Sequence, residues 1–367
     1  MKKLVRQWLC VVMALVMVLT LAGCGEPAAK EPEVEPYDMA TLLDGKLISV
    51  MGDSISTFDT VNNNPAINPT LAEHTYYYHE GRYDMTRSDT WWQQTADLLG
   101  AEILVNNSWS GSCTLFSNKG PDSEAYGIRS ENLHDVNGRE PDIVAIFMGT
   151  NDFTTVEGGD ACGKPEDVDY SNLLNETPDT FCEAYALMLT KIKNRYPNAE
   201  IYCLNILDRK SLLGDKTQID IFNNCIEAVA EKNGAYLVDI YRESGITADS
   251  TSCATYIADD VLHPSAAGMD AITNCLISAI YENSKYIPED FQTCSVTYDL
   301  KKVIVMEGTP ELVQKGASFS CTMYDGLSTA GVEITVTMGG KDITEQCVNK
   351  GKVAIEKVTG DLVITAE

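Results

Sequence analysis

Strand-like and helix-like runs alternate along residues 47–282, and this alternation restricts the possible folds more than any other feature of the chain. Short apolar runs lie at Leu47–Met51, Glu102–Val105, Ile143–Phe147, Ile201–Leu204 and Tyr236–Ile240. Segments with helical spacing lie between and after them, at about 90–99, 178–195, 217–232 and 265–282. In the second of these, Phe181, Ala184, Leu187, Met188 and Ile192 recur at three- and four-residue steps, and Tyr196-Pro197 ends the run. Alternation of this kind predicts a parallel sheet with helices on both faces, an α/β fold. Ligands of such sheets bind beyond the carboxyl ends of the strands. Gly52, the turn at 106–111 and Gly149 each follow a strand directly, so they are expected to meet at one edge.

Near residue 290 the pattern changes. Ser295–Tyr298, Phe319–Met323, Val332–Met338, Val353–Ile355 and Leu362–Ile364 alternate apolar and polar residues, with turns at Gly339-Gly340 and Gly360-Asp361. Residues 38–290 therefore read as the α/β domain. Residues 291–367 read as a small antiparallel β domain, similar to β-sandwich modules appended to secreted proteins of Gram-positive bacteria.

The amino-terminal region predicts export. Lys2, Lys3 and Arg6 precede an apolar core from Leu9 to Ala22, which is too short for a membrane span and has the order of a signal peptide. Its end, Leu21-Ala22-Gly23-Cys24, resembles a bacterial lipobox, which implies cleavage after residue 23 and lipid attachment at Cys24. Residues 24–37 are rich in proline and glutamate and read as an extended tether. The expected location is the outer face of a bacterial cell membrane, reached only through the lipid. A formal charge of −27, falling to about −30 once Lys2, Lys3 and Arg6 leave with the leader, argues against nucleic acid as a partner. Of 12 cysteines none is spaced Cys-x-x-Cys, so no zinc or dithiol motif is expected. Cys203 and Cys275 lie in apolar runs and read as buried thiols; disulfide pairing is left open.

Gly52-Asp53-Ser54-Ile55-Ser56 follows the first strand-like run. A serine on a tight turn at a strand's carboxyl end is placed to act as a nucleophile, with backbone amides beside it. It needs a base and a group to orient that base. There are four histidines, His74, His79, His134 and His263. His263 stands apart because it follows Asp260 by three residues, in Asp260-Val261-Leu262-His263-Pro264, and precedes a small-residue helix start, Ser265-Ala266-Ala267-Gly268. A metal site could be assembled from Asp53, Asp152, Asp260 and His263, but a proton relay accounts for the same residues without an ion, so no cofactor is expected.

Four segments in this order resemble the SGNH, or GDSL-like, hydrolases: the Gly52–Ser56 turn, Asn107-Ser108-Trp109-Ser110-Gly111-Ser112, Gly149-Thr150-Asn151-Asp152, and Asp260–Pro264. Position 56 carries Ser where the GDSL pattern has leucine. The resemblance implies a flavodoxin-like three-layer α/β/α fold and a serine esterase. It also implies that Ser54 is the nucleophile, His263 the base and Asp260 its orienting partner. The Ser54 amide, the Gly111 amide and the Asn151 side chain would form the oxyanion hole. Trp109, Tyr77 and Tyr78, in or near an aromatic stretch, are expected to contact substrate, because aromatic faces suit sugar rings. The expected substrate is a small-molecule or polysaccharide ester, with deacetylation of a carbohydrate the leading expectation. A lipase, thioesterase or lysophospholipase would use the same triad, and a non-catalytic glycan-binding lipoprotein is the alternative from another class.

Overall fold

The computed structural model describes residues 36–59, 76–117, 120–155, 161–208, 216–301, 305–307, 310–324 and 332–367. The expected leader, Cys24 and most of the tether lie outside the described residues, as does His74.

Five strands form the first sheet: β1 (Leu47–Gly52), β2 (Glu102–Asn106), β3 (Ile143–Phe147), β4 (Glu200–Leu204) and β5 (Tyr236–Val238). Their order is β2-β1-β3-β4-β5, and every pairing is parallel. This is the doubly wound order, in which the connections leaving β1 and β3 part to opposite sides and open a crevice at the carboxyl ends. The first and third predicted motifs follow these two strands.

The helices are α1 (Trp91–Leu99), α2 (Thr150–Thr155), α3 (Phe181–Arg195), α4 (Lys216–Asn233), α5 (Ile240–Glu243), α6 (Ser250–Tyr256) and α7 (Ala266–Asn283). Period-2 alternation along the strands sorts the core into two layers. Val144 and Ile146 of β3 pack with Phe181, Tyr185, Met188, Phe222 and Ile226 of α3 and α4. Ile143, Ala145 and Phe147 pack on the other face with Trp91, Trp92, Met269, Ile272 and Leu276 of α1 and α7. Helix ends follow local chemistry. Thr180 and Glu183 form a capping box on α3, and Ser265 caps α7. The predicted fifth strand ends two residues early, because Asp239 accepts from the Arg242 amide and starts α5.

The carboxyl-terminal region contains β6 (Thr293–Leu300), β7 (Val305–Glu307), β8 (Leu312–Gln314), β9 (Phe319–Tyr324), β10 (Ile334–Met338), β11 (Lys341–Asp342), β12 (Val348–Asn349), β13 (Lys352–Ile355) and β14 (Leu362–Ala366). They make two sheets, β11-β10-β14-β6-β8 and β12-β13-β9-β7. Val336 and Ile364 of one share a core with Met323 and Val353 of the other, as in a sandwich. Two features depart from expectation. A one-turn helix, α8 (Thr344–Cys347), interrupts the strands, and β6 pairs with β14 in parallel. These two strands open and close the region, so no short hairpin forces them to run antiparallel.

Where this region meets the helices, Pro310, Glu311 and Leu312 line a crevice of about 210 Å³ with Leu98, Asn274, Ile277, Ser278 and Tyr281. The α7 residues in that crevice begin eight positions past the helix start, about 12 Å along its axis from the His263 end. No described helix is long and apolar enough to cross a membrane.

Candidate functional site

The Ser54–Ser56 turn is a single 3₁₀ turn whose start is capped by Asp53, the Oδ1 of which accepts from the Ile55 amide at 3.0 Å. Gly52 is required by space rather than by dihedral angle: a Cβ there would collide with the Ser56 side chain. The turn therefore leaves the sheet abruptly and carries Ser54 into the crevice.

Three of the predicted residues form one hydrogen-bonded chain. Ser54 Oγ lies 2.7 Å from His263 Nε2, and His263 Nδ1 lies 2.6 Å from Asp260 Oδ2. An ionised carboxylate only accepts, so Nδ1 carries the ring hydrogen and Nε2 accepts from Ser54. Asp260 Oδ1 in turn accepts from the amides of Leu262 (3.1 Å) and His263 (3.0 Å). Burial would raise the Asp260 pKa. The hydrogen bonds from the His263 ring, the His263 backbone and Tyr77 outweigh it and hold the carboxyl well below the usual carboxylate range. Val261 has φ 59°, a left-handed conformation costly for a β-branched residue. That bend lies between Asp260 and His263 in the loop that brings the two side chains together. Ser54 and His263 are each 5% exposed.

The second motif is tied to the end of β1. Asn107 N donates to Val50 O (2.8 Å), Trp109 N to Gly52 O (3.1 Å), and Asn106 Nδ2 to Ser56 O (2.9 Å). Gly111, at φ 77°, closes the Trp109–Ser112 turn in a conformation that favours glycine. The third motif holds the far side of this loop. Asn151 Nδ2 donates to Ser112 O at 2.8 Å, and the two oxygens of Asp152 accept from the Thr114 (2.8 Å) and Leu115 (2.9 Å) amides. Burial pushes the Asp152 carboxyl up to about 7 against these hydrogen bonds. Asn151 and Gly111 thus belong to one interlocked loop pair beside the Ser54 turn.

Arg129 fastens the loops from beneath and was not apparent from sequence. It is fully buried and uses all five of its N–H donors. Nη2 donates to Gly52 O (2.6 Å) and Asn107 O (2.7 Å), Nη1 to Ser112 Oγ (2.9 Å) and Ser123 O (2.6 Å), and Nε to Asn107 O (3.3 Å). Burial lowers its pKa to about 10, so it stays cationic at neutral pH; Asp53 opposes the fall. An isolated arginine in a polar stretch gives no sign of such a role.

The expected aromatic contacts are placed differently. Tyr78 is fully buried and its hydroxyl donates to Pro264 O at 2.7 Å, so in this structure it cannot touch substrate. Trp109 is 7% exposed and packs into the loop rather than presenting a face. Trp91 and Trp92 are core residues of α1. Tyr77 is half-buried and lies against the hydrogen-bonded chain itself, stacked on His263. Of the other histidines described, His134 lies 2.9 Å from the Tyr196 hydroxyl and His79 is exposed.

Among the described residues, the groups close enough to surround an ion are Cys162, Cys182 and Cys225, not the carboxylates near His263. Cys182 and Cys225 are joined as a disulfide between α3 and α4, and Cys203 and Cys275 are buried thiols.

Residues 46–280 match the family model for GDSL-like lipase/acylhydrolase. No curated protein matches the chain. Solved structures that match the chain include one described as a GDSL-like lipase from Bacteroides ovatus, 25% identical with a TM-score of 0.47, the match covering 65% of this chain and 99% of that one. A second, from Bacteroides uniformis, is 23% identical with a TM-score of 0.44, covering 65% and 96%. A third is an active-site mutant of a family two carbohydrate esterase from Clostridium thermocellum, 18% identical with a TM-score of 0.44, covering 66% and 65%.

Proposed function

The chain belongs to the GDSL-like lipase/acylhydrolase family, and from that premise we propose that it hydrolyses short-chain esters, removing acetyl groups from a carbohydrate, with Ser54 as nucleophile. The hydrogen-bonded chain Ser54–His263–Asp260 carries this reading. His263 Nε2 takes the Ser54 proton as Oγ attacks the ester carbonyl. The imidazolium then returns that proton to the departing alcohol, and water repeats the sequence on the acyl-enzyme. Asp260 fixes the tautomer. The Ser54 and Gly111 amides and Asn151 Nδ2 donate to the oxyanion; Nδ2 has two hydrogens, so it can hold Ser112 and an oxyanion together.

Two observations favour a short acyl group and a hydroxylated alcohol. The buried side chains of the Ser54 turn and the adjoining loop include five polar ones, Ser56, Asn107, Ser108, Ser112 and Thr114, beside Ile55, Trp109, Cys113 and Leu115. A long acyl tail would need an apolar channel in their place. Behind Tyr77, which stacks on His263, Arg82 and Tyr83 are half-buried hydrogen-bonding side chains. The test is the rate on acetyl, butyryl and octanoyl esters beside acetate release from acetylated polysaccharides. Faster turnover of the octanoyl ester would replace this reading with a lipase or thioesterase.

Activity is expected to fall in acid as His263 gains a proton; a free imidazole titrates at about 6.5. Asp260 does not contribute to this limb, because its depressed pKa keeps it ionised well below that range. The rate should rise through neutrality to a plateau and be unaffected by EDTA. Loss with EDTA and recovery with a divalent ion would replace the serine mechanism.

The reading includes a signal peptide over residues 1–23 and anchoring through lipid on Cys24, supported by the lipobox-like sequence. Labelling with a fatty-acid analogue, lost in Cys24→Ala, checks it. Residues 291–367 are proposed to be an accessory domain. A chain of residues 38–290 is expected to hydrolyse a small soluble ester within about twofold of the full rate, since the crevice lined by Pro310–Leu312 and α7 begins about 12 Å along that helix from its His263 end. A folded truncation without activity would show that the β region completes the site.

A further inference from the structure

Tyr77 has no part in the relay above, yet it is built against two of its members. Its ring lies flat on the His263 imidazole, with centroids 3.3 Å apart and planes 9° from parallel. Its hydroxyl donates to Asp260 Oδ2, the oxygen that also accepts from His263 Nδ1. That donation uses the only Tyr77 hydroxyl proton, so Tyr83 must donate to Tyr77 across their 2.7 Å contact. The Arg82 guanidinium carbon sits 3.7 Å from the Tyr77 ring centroid. Two groups this close to one ring cannot share a face, so Arg82 and His263 sandwich Tyr77.

The segment is held to the nucleophile turn. Tyr77 N donates to Thr57 Oγ1 at 2.8 Å, and Thr57 Oγ1 donates to Ser54 O at 2.8 Å. Phe58 and Tyr78 form a parallel bridge beside it. On the other side, Tyr83 and Asp84 both adopt left-handed backbone, at φ 56° and 57°, which costs energy for residues other than glycine. The bend brings Arg82 and Tyr83 onto Tyr77, and Arg82 Nη1 donates to Tyr77 O at 2.8 Å.

We propose that Tyr77 is a positioning residue for the base, clamping the His263 ring plane and the Asp260 carboxylate together and lowering the proton affinity of His263. The inference rests on the triad reading above. Three effects act in one direction. The tyrosine hydroxyl takes part of the Asp260 charge that would otherwise stabilise an imidazolium. The ring excludes water from one imidazole face, which disfavours the charged form. Arg82, on the opposite face, draws on the ring's π electrons and weakens any cation–π attraction to the imidazolium. The titratable and charged groups around His263 are Asp260 on its own loop, Ser54 and Asp53 on the nucleophile turn, Tyr77 and Tyr78, and Tyr83 and Arg82 behind Tyr77. The consequence is a base that stays neutral, and so competent, at lower pH.

The test is a proton NMR titration of the His263 ring in the intact chain, its resonance assigned by its loss in His263→Gln. Tyr77→Phe keeps the ring and removes the hydroxyl. It is expected to raise the His263 pKa by about half a unit, and Tyr77→Ala by about one unit. The acid limb of kcat/KM should move upward by the same amounts, with KM for a small ester unchanged. A Tyr77→Phe titration that is unmoved or moves downward overturns the proposal, whatever the state of Tyr77→Ala. The titration needs no turnover. A wild-type chain inactive on esters would therefore defeat the functional reading while the NMR shift still decided the role of Tyr77.

Discussion

Ser54→Ala is expected to fold normally and to lose ester hydrolysis by about 10⁴–10⁶ in rate. The hydroxyl is the only atom removed, and its hydrogen bond is to His263, whose ring keeps its other partners, Asp260 and Tyr77. The turn does not depend on it either, being set by the Asp53 cap and the absence of a side chain at Gly52. What disappears is the atom that attacks the carbonyl. Residual rate would come from donors that still stabilise an oxyanion formed by water. The measurement is turnover of an acetyl ester alongside circular dichroism and thermal melting. A folded Ser54→Ala chain with near-normal turnover would remove Ser54 from the mechanism.

Arg129→Met is expected to have the largest effect on stability, a loss of roughly 3–5 kcal/mol or more. Methionine fills much of the volume but donates nothing. The carbonyls of Asn107 and Ser123 and the Ser112 hydroxyl lose a donor in a region closed to water, and Gly52 O loses one of its donors while keeping the Trp109 amide. Arg129→Lys keeps the charge but not the planar fork, and should recover part of the loss. Because the same guanidinium holds Gly52 next to the nucleophile turn and Ser112 next to Gly111, folded Arg129→Met protein should also turn over more slowly. Urea denaturation checks the first part. An unfolding free energy within about 1 kcal/mol of the wild type would mean that the buried guanidinium is replaceable.

The same two residues mark the division between what the sequence discloses and what the fold adds. Ser54 was legible because local rules govern it: an apolar strand, then a glycine turn, then a hydroxyl. His263 was singled out by Asp260 three residues before it together with Pro264 and a small-residue helix start after it; the spacing alone would also have picked His134, which follows Glu131 by three and lies against Tyr196. The sheet was legible for the same reason, since strand and helix periods of 2 and 3.6 leave their mark within a few residues. The strand order β2-β1-β3-β4-β5 was not, because alternation and right-handed crossovers allow other doubly wound orders as well.

Long-range packing decided the rest. Tyr77 and Tyr78 are adjacent and chemically alike, yet one lies against the triad and the other is sealed in the core, bonded to a carbonyl 186 positions away. No local pattern separates them. Arg129 carries no local sign of its role, which appears only where Gly52, the 107–112 loop and Ser123 converge on its donors. The parallel pairing of β6 and β14 joins the two ends of their region, a contact set by closure of the sandwich and not by any turn. Periodicity and turn chemistry act between neighbours in the chain, so they determined the elements and the positions of the motifs. Which side chains meet across 100 or 200 residues depends on how those elements pack, and that packing decided which residues support the reacting groups.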